Sequence, residues 1–388
     1  MSLGSRIQAE LRGDPVIWMI VALLATFSVV IVYSSTSTLA FQYHRDNIGF
    51  FLTKHLFLLG FGLFLTYICY LMHPMRYSKI AATLFLLAIP LLMYTLMLEG
   101  HNQGRRWIEI PYVGLTVQTS DFAKLALIIY LAKALSITDY IRDFNTAFMP
   151  IIVPVIVICG LIAPADLSTS ALLFVTSMMM MFIGRVDMKY IGLLIMCGIV
   201  VFATLIILAD FQVFKDVIRA DTWTKRFQEY NSNEGGYQVQ QSMMAIATGG
   251  FFGLGPGNSL LRNSLPNPYN DFIFSTICEE YGLLGGLFII SLFLLLLFRV
   301  TRLVTNSSKG FQAMLATGLT LSLVIQALTN MAVAVHLLPV TGLNLPMVSY
   351  GGTSLIFTCI SLGIILSVSK NIENINLEST SPSPKGIK

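Results

Sequence analysis

The sequence is dominated by ten apolar stretches, each close to the ~20 residues that a helix needs to cross the hydrocarbon core of a bilayer. Charged residues make up only 11% of the chain, against about 25% in typical soluble domains. Because only "APAD" separates the fifth stretch from the sixth, nine spans is the alternative count. We predict an all-α polytopic membrane protein with spans at 15–34, 54–72, 79–98, 120–137, 148–162, 167–184, 188–209, 271–298, 311–335 and 347–369.

The basic residues indicate how these spans are oriented. They concentrate in alternate short connections, at Arg76 and Lys79, Lys133 and Arg142, Arg185 and Lys189, and Arg299, Arg302 and Lys309. By the positive-inside rule, those connections and both termini are cytoplasmic, which requires an even number of spans and favours ten. The connection 210–270, between spans 7 and 8, is then a large extracytoplasmic loop, and 99–119 is a second outer connection.

No segment outside the spans is large enough to bury a core of its own. We therefore predict a single transmembrane domain over 1–370 and a disordered, Ser- and Pro-rich cytoplasmic tail over 371–388. All five cysteines lie inside predicted spans without the spacing of a metal site, so we expect no disulfide framework. The net charge of +4 suits anionic lipid headgroups and does not indicate nucleic-acid binding.

Charged residues inside or at the edge of apolar stretches are the first functional candidates. An ionised side chain at the centre of a membrane costs at least ~2.5–3.5 kcal/mol on insertion scales, so such residues usually face a cavity or a partner. Asp121 and Lys124 are three residues apart on one predicted helix, where they can form an ion pair. The sequence leaves open whether Lys124 serves only that pair or also contacts an anionic substrate. The candidates are Asp121, Lys124, Asp166, Asp271, Glu279 and Glu280.

Asp271 opens the stretch "DFIFSTICEEYGLLGG". On a regular helix that begins there, Ser275 and Gly282 share its face, while Glu280 lies opposite and Glu279 about a quarter-turn away. The three acids therefore cannot serve one site on this helix, and we expect Glu279 and Glu280 to brace neighbouring helices. Periodicity alone favours an N-cap role for Asp271, because Asp accepts backbone N–H bonds at helix starts.

The predicted outer loops carry further candidates. Arg105 and Arg106 precede Trp107 in "GRRWIEI". They are either interfacial anchors, since Trp and Arg favour that depth, or a clamp for phosphate oxygens, which Arg binds bidentately. The glycines of "GGFFGLGPGNS" can present backbone N–H groups to an anion, but the segment lacks the Lys-Ser/Thr pair of a P-loop. Prolines and glycines over 339–352 predict a re-entrant or cavity-lining segment.

Six motifs, in order along most of the chain, resemble those of the SEDS family, whose members include the FtsW, RodA and SpoVE proteins. They are "GRRWIEI", "SDFAKLALIIYLAK", "APADLSTSALLF", "GGYQVQQSMMAIATGGFFGLGPGNS", "NDFIFSTICEEYGLLGG" and "LLPVTGLNLPMVSYGGTSLI". The third motif departs from the family's Gln-Pro-Asp-Leu-Gly-Thr pattern, with Pro164, Ala165 and Ser168 in place of Gln, Pro and Gly. The departure concerns that turn and does not touch Asp271.

The resemblance implies a peptidoglycan glycosyltransferase that polymerises lipid II, the undecaprenyl-pyrophosphate-linked disaccharide pentapeptide. It implies that Asp271 is the catalytic residue, in the role of general base for the acceptor hydroxyl. A divalent cation, Mg²⁺ or Mn²⁺, is an optional cofactor. The expected substrate-binding residues are Lys124, Arg105, Arg106, Gln238, Gln241, Ser349 and Gly351, and the expected supporting residues are Asp166, Glu279, Glu280 and Trp107.

The same resemblance implies a place in the bacterial cytoplasmic (inner) membrane at the division septum. The implied partners are a cognate class B penicillin-binding protein, which is a transpeptidase, and divisome proteins. The segments "VYSSTS" and "TGLNLPMVSYGGTS" and the short tail favour the FtsW-like division type over the RodA-like elongation type. A lipid II flippase or transporter is an alternative from another class, since transporters also contain buried charges and broken helices. A non-catalytic scaffold for a transpeptidase is a third, and it would leave Asp271 without a role.

Overall fold

The computed structural model describes residues 12–42, 48–98, 107–110, 115–137, 148–209, 220–231, 236–260, 270–305 and 310–380. These residues form twelve α-helices, a π-helical turn at Phe148–Ile152 and one antiparallel hairpin. The hairpin consists of β1 (Trp107–Ile110) and β2 (Leu115–Gln118). The helices are α1 Pro15–Gln42, α2 Ile48–Leu71, α3 Met75–Met97, α4 Thr119–Ser136, α5 Val153–Ile162, α6 Leu167–Ile183, α7 Met188–Ala209, α8 Ala220–Asn231, α9 Tyr237–Gly249, α10 Ile273–Thr305, α11 Gly310–Ala334 and α12 Thr353–Thr380.

Each of the ten predicted apolar stretches overlaps one of these helices. In the part of the chain that the structure describes, α1, α2, α3, α10, α11 and α12 are long and apolar enough to cross a membrane. Shorter apolar helices cover Met149–Ile162, Leu167–Ile183 and Met188–Thr204. The protein is a polytopic helical membrane protein, as predicted. The predicted loop 210–270 holds two further helices, α8 and α9.

The two apolar stretches on either side of "APAD" form separate helices, α5 and α6. After α5 ends, the N–H groups of Ala165 and Asp166 donate to Ile162 O at 3.2 and 2.8 Å, which closes a tight turn. Asp166 then caps α6, because its Oδ1 accepts from Thr169 N at 3.1 Å and its Oδ2 from Thr169 Oγ1 at 2.8 Å. An Asp at this position satisfies an N–H group that the first helical turn leaves without a partner. A new helix therefore starts here, and the segment is not one long span.

Helix α11 lies at the centre of the bundle and α3 at its edge. In the most apolar window of α11, 78% of the residues are buried within the protein, against 22% in α3. Helix α11 packs against α4, α6, α10 and α12. Its amide side chains Gln326 and Asn330 are nevertheless polar and buried. Because buried polar groups need hydrogen-bond partners, the contacts of these two side chains are central to the site described below.

Helix α10 is broken at Gly282, whose backbone has φ 68° and ψ −168°. The carbonyl oxygens just before the break accept from the segment 249–257, which we call the glycine clasp. Glu279 O accepts from Leu254 N and Glu280 O from Gly255 N, both at 2.9 Å, and Leu283 N donates to Gly250 O at 3.0 Å. The prediction of one regular helix from Asp271 is therefore wrong: α10 starts at Ile273 and leaves its regular path at Gly282.

The same contacts use the N–H groups that were candidates for binding an anion. Gly253 N donates to Gly249 O at 2.8 Å, and Gly257 N donates to Ser34 Oγ at 3.1 Å. Leu254 N and Gly255 N donate to α10, as described above. The interpretation of these four groups as an anion site is wrong, because each already has a partner within the protein.

Glu279 and Glu280 are buried beside the glycine clasp, at 0% and 1% exposure. Glu279 accepts from Ser259 Oγ and, at 2.8 Å, from Leu260 N. Glu280 accepts from Ser34 Oγ of α1. Hydrogen bonds of this kind offset part of the cost of burying a carboxylate. The two acids thus link α10 to α1 and to the segment that follows the clasp.

The first and last described segments meet at one end of the bundle. Gly13 N donates to Glu373 Oε2 at 2.6 Å, and Asp14 N donates to Ser369 Oγ at 2.7 Å. Arg299, near the end of α10, forms an ion pair with Asp14 at 2.7 Å. The start of α1 and the end of α12 therefore lie on the same side, which an even number of membrane crossings requires.

Helix α12 continues to Thr380, ten residues into the segment predicted to be a disordered tail. The prediction of disorder is wrong for 371–380, and 381–388 lie outside the described residues. Asn371 Nδ2 donates to Gln312 Oε1 at 2.8 Å, and Glu373 accepts from Gly13 N. These contacts to distant parts of the chain stabilise a helical segment whose composition alone does not predict it.

The glycine clasp can be tested with two matched substitutions. A Cβ added to Gly253 would lie 2.2 Å from Glu280 O, whereas nothing lies within 4 Å of one added to Gly257. Both residues have positive φ, +82° and +79°, so the strain of a left-handed non-glycine residue, roughly 1–2 kcal/mol, is common to both variants. We expect Gly253→Ala to lower the melting temperature of the purified protein in detergent well below that of Gly257→Ala. Equal melting temperatures would contradict the clasp.

Candidate active site

A polar cleft of about 450 Å³ opens at one end of the bundle, where α4, α6 and α12 begin. It lies at the opposite end from the Asp14–Arg299 ion pair, because α10 and α12 begin at the cleft and end near that pair. Residues from six helices, both strands, the turn around Asp271 and the loop before α12 contribute to its walls. The lining residues are Lys54, Trp107, Thr116, Gln118, Asp121, Lys124, Asp166, Thr169, Leu172, Arg226, Asn270, Asp271, Gln326, Gly342, Leu343, Asn344, Tyr350, Gly351, Gly352 and Ser354.

Four of the charged residues that the sequence singled out, Asp121, Lys124, Asp166 and Asp271, meet in this cleft. Its lining includes Asp271, Lys124, Asp166, Trp107 and Gly351, which lie far apart in the sequence. Arg105 and Arg106 lie outside the described residues. The other predicted residues are described but do not line the cleft: Gln238, Gln241, Ser349, Glu279 and Glu280.

Asp271 lies in the turn that precedes α10, and its backbone is held from α11. Asn330 Nδ2 donates to Asp271 O at 2.8 Å and to Leu343 O at 2.7 Å. Asn330 is 1% exposed, so these bonds form away from water, where an unsatisfied carbonyl would be costly. One side chain therefore fixes the turn of Asp271 against the loop before α12.

Ser349 supports the same turn from the other side. Its Oγ donates to Asn270 O at 2.8 Å and accepts from Leu345 N at 2.8 Å. The side chain is 2% exposed and does not reach the cleft. Ser349 thus acts on the position of the neighbouring Asp271 through the backbone.

Lys124 is engaged within the protein and also faces the cleft. Its Nζ lies 3.2 Å from Asp121 Oδ1 and donates to Gln326 Oε1 at 2.8 Å. Gln326 Nε2 in turn donates to Asn344 O at 2.9 Å. The lysine side chain retains 13% exposure. The structure therefore contains the ion pair expected from the i,i+3 spacing and also leaves the ammonium group at the cleft wall.

The hairpin closes the cleft near the start of α12. In its register Trp107 pairs with Gln118. Gln118 N donates to Thr353 Oγ1 at 3.3 Å, and Thr353 Oγ1 donates to Thr116 O at 2.9 Å. Trp107, Thr116 and Gln118 all line the cleft. The loop motif that contains Trp107 is thus fixed to the helix that follows the "VSYGG" motif.

Three residues that the sequence analysis did not select also contribute. Lys54 and Arg226 line the cleft, and Asn330 positions Asp271 as described above. Lys54 lies at the start of an apolar stretch. The high cost of a charge in a membrane span is therefore a signal by which the sequence could have identified it. Arg226 lies on α8 within the long loop, and Asn330 is one polar residue in an apolar helix. Neither has a local pattern that distinguishes it.

Helix α9 carries Gln238 and Gln241, both half-buried. The helix packs along the first part of α10. The hydroxyl groups of Ser242 and Ser275 are hydrogen-bonded, and Ser242 Oγ donates to Ala334 O at 2.7 Å. The two glutamines therefore lie on an element that is bonded to α10 and α11, outside the cleft itself.

The described residues do not form a protein metal site. Among them, no group of three or more His, Cys, Asp or Glu side chains is arranged to hold a metal ion. Two of the cleft carboxylates are engaged elsewhere, Asp121 with Lys124 and Asp166 with Thr169. The described residues thus contain no cluster of three protein ligands for a divalent cation, and no step of the mechanism below uses one.

A second, apolar groove of about 310 Å³ lies between α5, α6 and α7. Its walls include Ile156 of α5, Phe174 of α6, and Ile199 and Phe202 of α7. Ile199 and Phe202 are exposed on the surface of the protein. In a membrane protein such a surface faces lipid, so the groove is suited to hydrocarbon chains.

Comparison with known proteins identifies the family. A family model described as "Cell cycle protein", which covers FtsW, RodA and SpoVE, matches residues 14–374. The chain belongs to this family. A probable peptidoglycan glycosyltransferase FtsW of Geobacter sulfurreducens is 31% identical over 378 residues, which are 96% of this chain and 99% of that protein. The stage V sporulation protein E of Bacillus subtilis is 30% identical over 370 residues, 92% of this chain and 97% of that protein.

Solved structures share the fold of this family member. A chain from a structure described as "Structural coordination of polymerization and crosslinking by a peptidoglycan synthase complex" aligns with a TM-score of 0.69 at 24% identity, over 93% of this chain and 98% of that one. The rod shape determining protein RodA of Thermus thermophilus aligns with a TM-score of 0.65 at 22% identity, over 92% and 97%. These similarities establish the polytopic fold.

The positioning role of Asn330 leads to a test by hydrogen exchange. Asn330→Leu keeps the side-chain size but removes both donors, and unsatisfied buried acceptors cost ~1–3 kcal/mol each. We expect faster amide exchange in 270–276 and 343–345 of the purified protein, measured by mass spectrometry. Gln312→Leu is the matched control, since Gln312 is a buried amide on the same helix at the other end. Similar exchange of 270–276 in both variants would contradict the role of Asn330.

Proposed function

We propose that this protein is a peptidoglycan glycosyltransferase that polymerises lipid II into glycan strands. The observation that carries the proposal is the placement of Asp271, a carboxylate in a polar cleft at one end of a membrane-embedded bundle, with Lys54, Lys124 and Arg226 in the same walls. Relatives over nearly the full length are named probable peptidoglycan glycosyltransferases, which supports the same reaction for this chain.

In the proposed reaction, Asp271 is the general base. The 4-hydroxyl of the acceptor sugar attacks the anomeric carbon of the donor sugar, and Asp271 accepts the hydroxyl proton. As the new C–O bond forms, the bond between that carbon and the pyrophosphate oxygen breaks, and the configuration inverts. The proton then passes from Asp271 to water in the cleft. A positioned base of this kind contributes about 10²–10⁴-fold to the rate.

The leaving pyrophosphate needs positive charge, because negative charge accumulates on it in the transition state. Lys124 is one source, although Asp121 at 3.2 Å offsets part of its charge. Arg105 and Arg106 are further candidates. They directly precede Trp107 in the sequence, and Trp107 lines the cleft.

The other residues that were predicted to bind substrate have separate roles in this proposal. Gly351 lies in the cleft wall and offers backbone groups to the substrate, while Ser349 supports Asp271 indirectly through Asn270 O. Gln238 and Gln241 lie on α9, outside the cleft, where they contact parts of the substrate or product strand that extend beyond it. The apolar groove between α5, α6 and α7 holds a polyprenyl tail.

We propose the bacterial cytoplasmic (inner) membrane as the location, the division septum as the place of action, and a class B penicillin-binding protein as the partner, together with divisome proteins. The solved complex that shares the fold couples polymerization to crosslinking, and crosslinking is the reaction of such a partner. The relatives named FtsW, at 30–31% identity, support the division type over the elongation type.

Replacing Asp271 by Asn tests the base directly. Asn has nearly the same size and accepts a hydrogen bond, but it cannot take a proton. We expect Asp271→Asn to leave folding and partner binding unchanged and to reduce polymerisation of labelled lipid II by at least about 10²-fold. Strands made by the purified protein, with its partner if needed, would be resolved on a gel. Asp187→Asn, in the connection between α6 and α7, is the matched control because Asp187 does not line the cleft.

The outcomes of this experiment separate the alternatives. A helix N-cap role predicts near wild-type strands, because Asn caps about as well as Asp. A flippase predicts that wild-type protein translocates lipid II across vesicles without polymerising it. Long strands from Asp271→Asn at a near wild-type rate would refute the catalytic assignment.

The process that the enzyme serves is tested in cells. If it acts in division, depletion should produce filaments with unfinished septa, because side-wall synthesis continues. The measurement is cell length and septum morphology by microscopy after depletion, with a fluorescent fusion to report the location. Rounded, swollen cells and side-wall fluorescence would instead assign the protein to elongation.

A further inference from the structure

Arg226 has a specific place beside the carboxylate of Asp271. Its Nη1 donates to Thr341 O at 3.3 Å. A Cβ placed on Gly342 would lie 3.7 Å from Asp271 Oδ2 and 3.8 Å from Arg226 Nη2. The carboxylate and the guanidinium group therefore approach the same point of the cleft wall, although α8 and the turn before α10 are about 40 residues apart in the sequence.

The other side of Arg226 borders apolar space. Arg226 also lines a smaller cavity of about 130 Å³ whose walls include Trp223, Phe227 and Leu167. Leu167 in turn lines the apolar groove between α5, α6 and α7. Arg226 lines both the cleft and the small cavity, and Leu167 lines both the small cavity and the groove. The order is therefore polar cleft, Arg226, small apolar cavity and lipid-facing groove.

This order matches the chemistry of a sugar linked to a polyprenyl pyrophosphate. Such a molecule has a polar sugar, then an anionic pyrophosphate, then a hydrocarbon tail. A guanidinium group binds phosphate oxygens through paired hydrogen bonds and is only weakly hydrated. Arg226 lies at the boundary where the anionic part of this molecule must lie if its sugar occupies the cleft and its tail the groove.

The distance to Asp271 indicates which of the two substrates this is. The base contacts the acceptor's 4-hydroxyl, and that oxygen attacks the carbon that carries the donor's pyrophosphate. In the acceptor, by contrast, a whole disaccharide separates the 4-hydroxyl from its own pyrophosphate. Arg226 lies beside the same wall residue, Gly342, as the base Asp271. A cation in that place therefore faces the donor's pyrophosphate.

We propose that Arg226 binds the donor's pyrophosphate and stabilises it as it leaves, with the donor's tail in the small cavity and the apolar groove. The inference rests on the proposed function, since it uses glycosyl transfer between two polyprenyl-linked substrates. The bond that breaks is the one between the donor's anomeric carbon and the pyrophosphate oxygen. The product that remains on Arg226 is undecaprenyl pyrophosphate.

The test measures binding of undecaprenyl pyrophosphate to the full-length protein in lipid nanodiscs. We expect Arg226→Gln to weaken binding at least about tenfold, as for loss of a charge-assisted contact, and Arg226→Lys to weaken it less. Lys225→Gln is the matched control, because Lys225 is exposed on the same helix and lines none of these cavities. Equal affinity of wild type, Arg226→Gln and Arg226→Lys would overturn the proposal.

A competition experiment separates the tail from the headgroup. Inorganic pyrophosphate should compete far more weakly than undecaprenyl pyrophosphate, since it lacks the part that occupies the groove. Equal competition by the two would refute the path through the small cavity. If Arg226 served only to hold Asp271, Arg226→Gln would lose polymerisation but keep its affinity for undecaprenyl pyrophosphate, which also overturns the proposal.

Polymerisation of lipid II by wild-type protein together with its transpeptidase partner in the same nanodiscs keeps the two hypotheses distinguishable. Strand synthesis by wild type together with unchanged binding by Arg226→Gln refutes the role of Arg226 and leaves the glycosyltransferase in place. Binding that depends on Arg226 without any strand synthesis supports the pyrophosphate site and refutes the polymerase.

Discussion

In lipid, backbone N–H and C=O groups must find partners within the protein. The break in α10 removes regular helical partners, so the backbone groups around it need partners from another segment. The regular helix stops at Gly282, and the amides of the glycine clasp bond the carbonyl groups before the break. The buried acids Glu279 and Glu280 add contacts to Ser259 and Ser34 at the same level. The first part of α10 is thereby held as a separate segment, and the turn that carries Asp271 lies directly at its start.

Two amide side chains of α11 connect this segment to the opposite wall. Gln326 and Asn330 are four residues apart, so they lie on one face of the helix, one turn from each other. Gln326 contacts Lys124 and Asn344 O, and Asn330 contacts Asp271 O and Leu343 O. One turn of the central helix therefore sets the positions of both the carboxylate and the ammonium group relative to the same two loop residues.

Hydropathy and charge predicted the helices well, because lipid imposes length and composition on every span. The cost of a charge in hydrocarbon also selected Asp271, Lys124 and Asp166, which do meet in one cleft. The break at Gly282 was missed because it depends on contacts with 249–257, which local periodicity does not contain. Arg226 was missed for the same reason: its place is set by the packing of a loop helix. The helical tail residues depend on contacts with Gln312 and Gly13.

The glycine clasp limits which residues of this sequence can change during evolution. A Cβ on Gly249 would lie 2.0 Å from Cys278 O, one on Gly253 2.2 Å from Glu280 O, and one on Gly282 2.4 Å from Phe251 O. Each obstacle is a backbone atom, which every amino acid possesses. No substitution in the facing segment can therefore compensate for the loss of one of these glycines. In descendants of this chain these glycines should persist together without covariation.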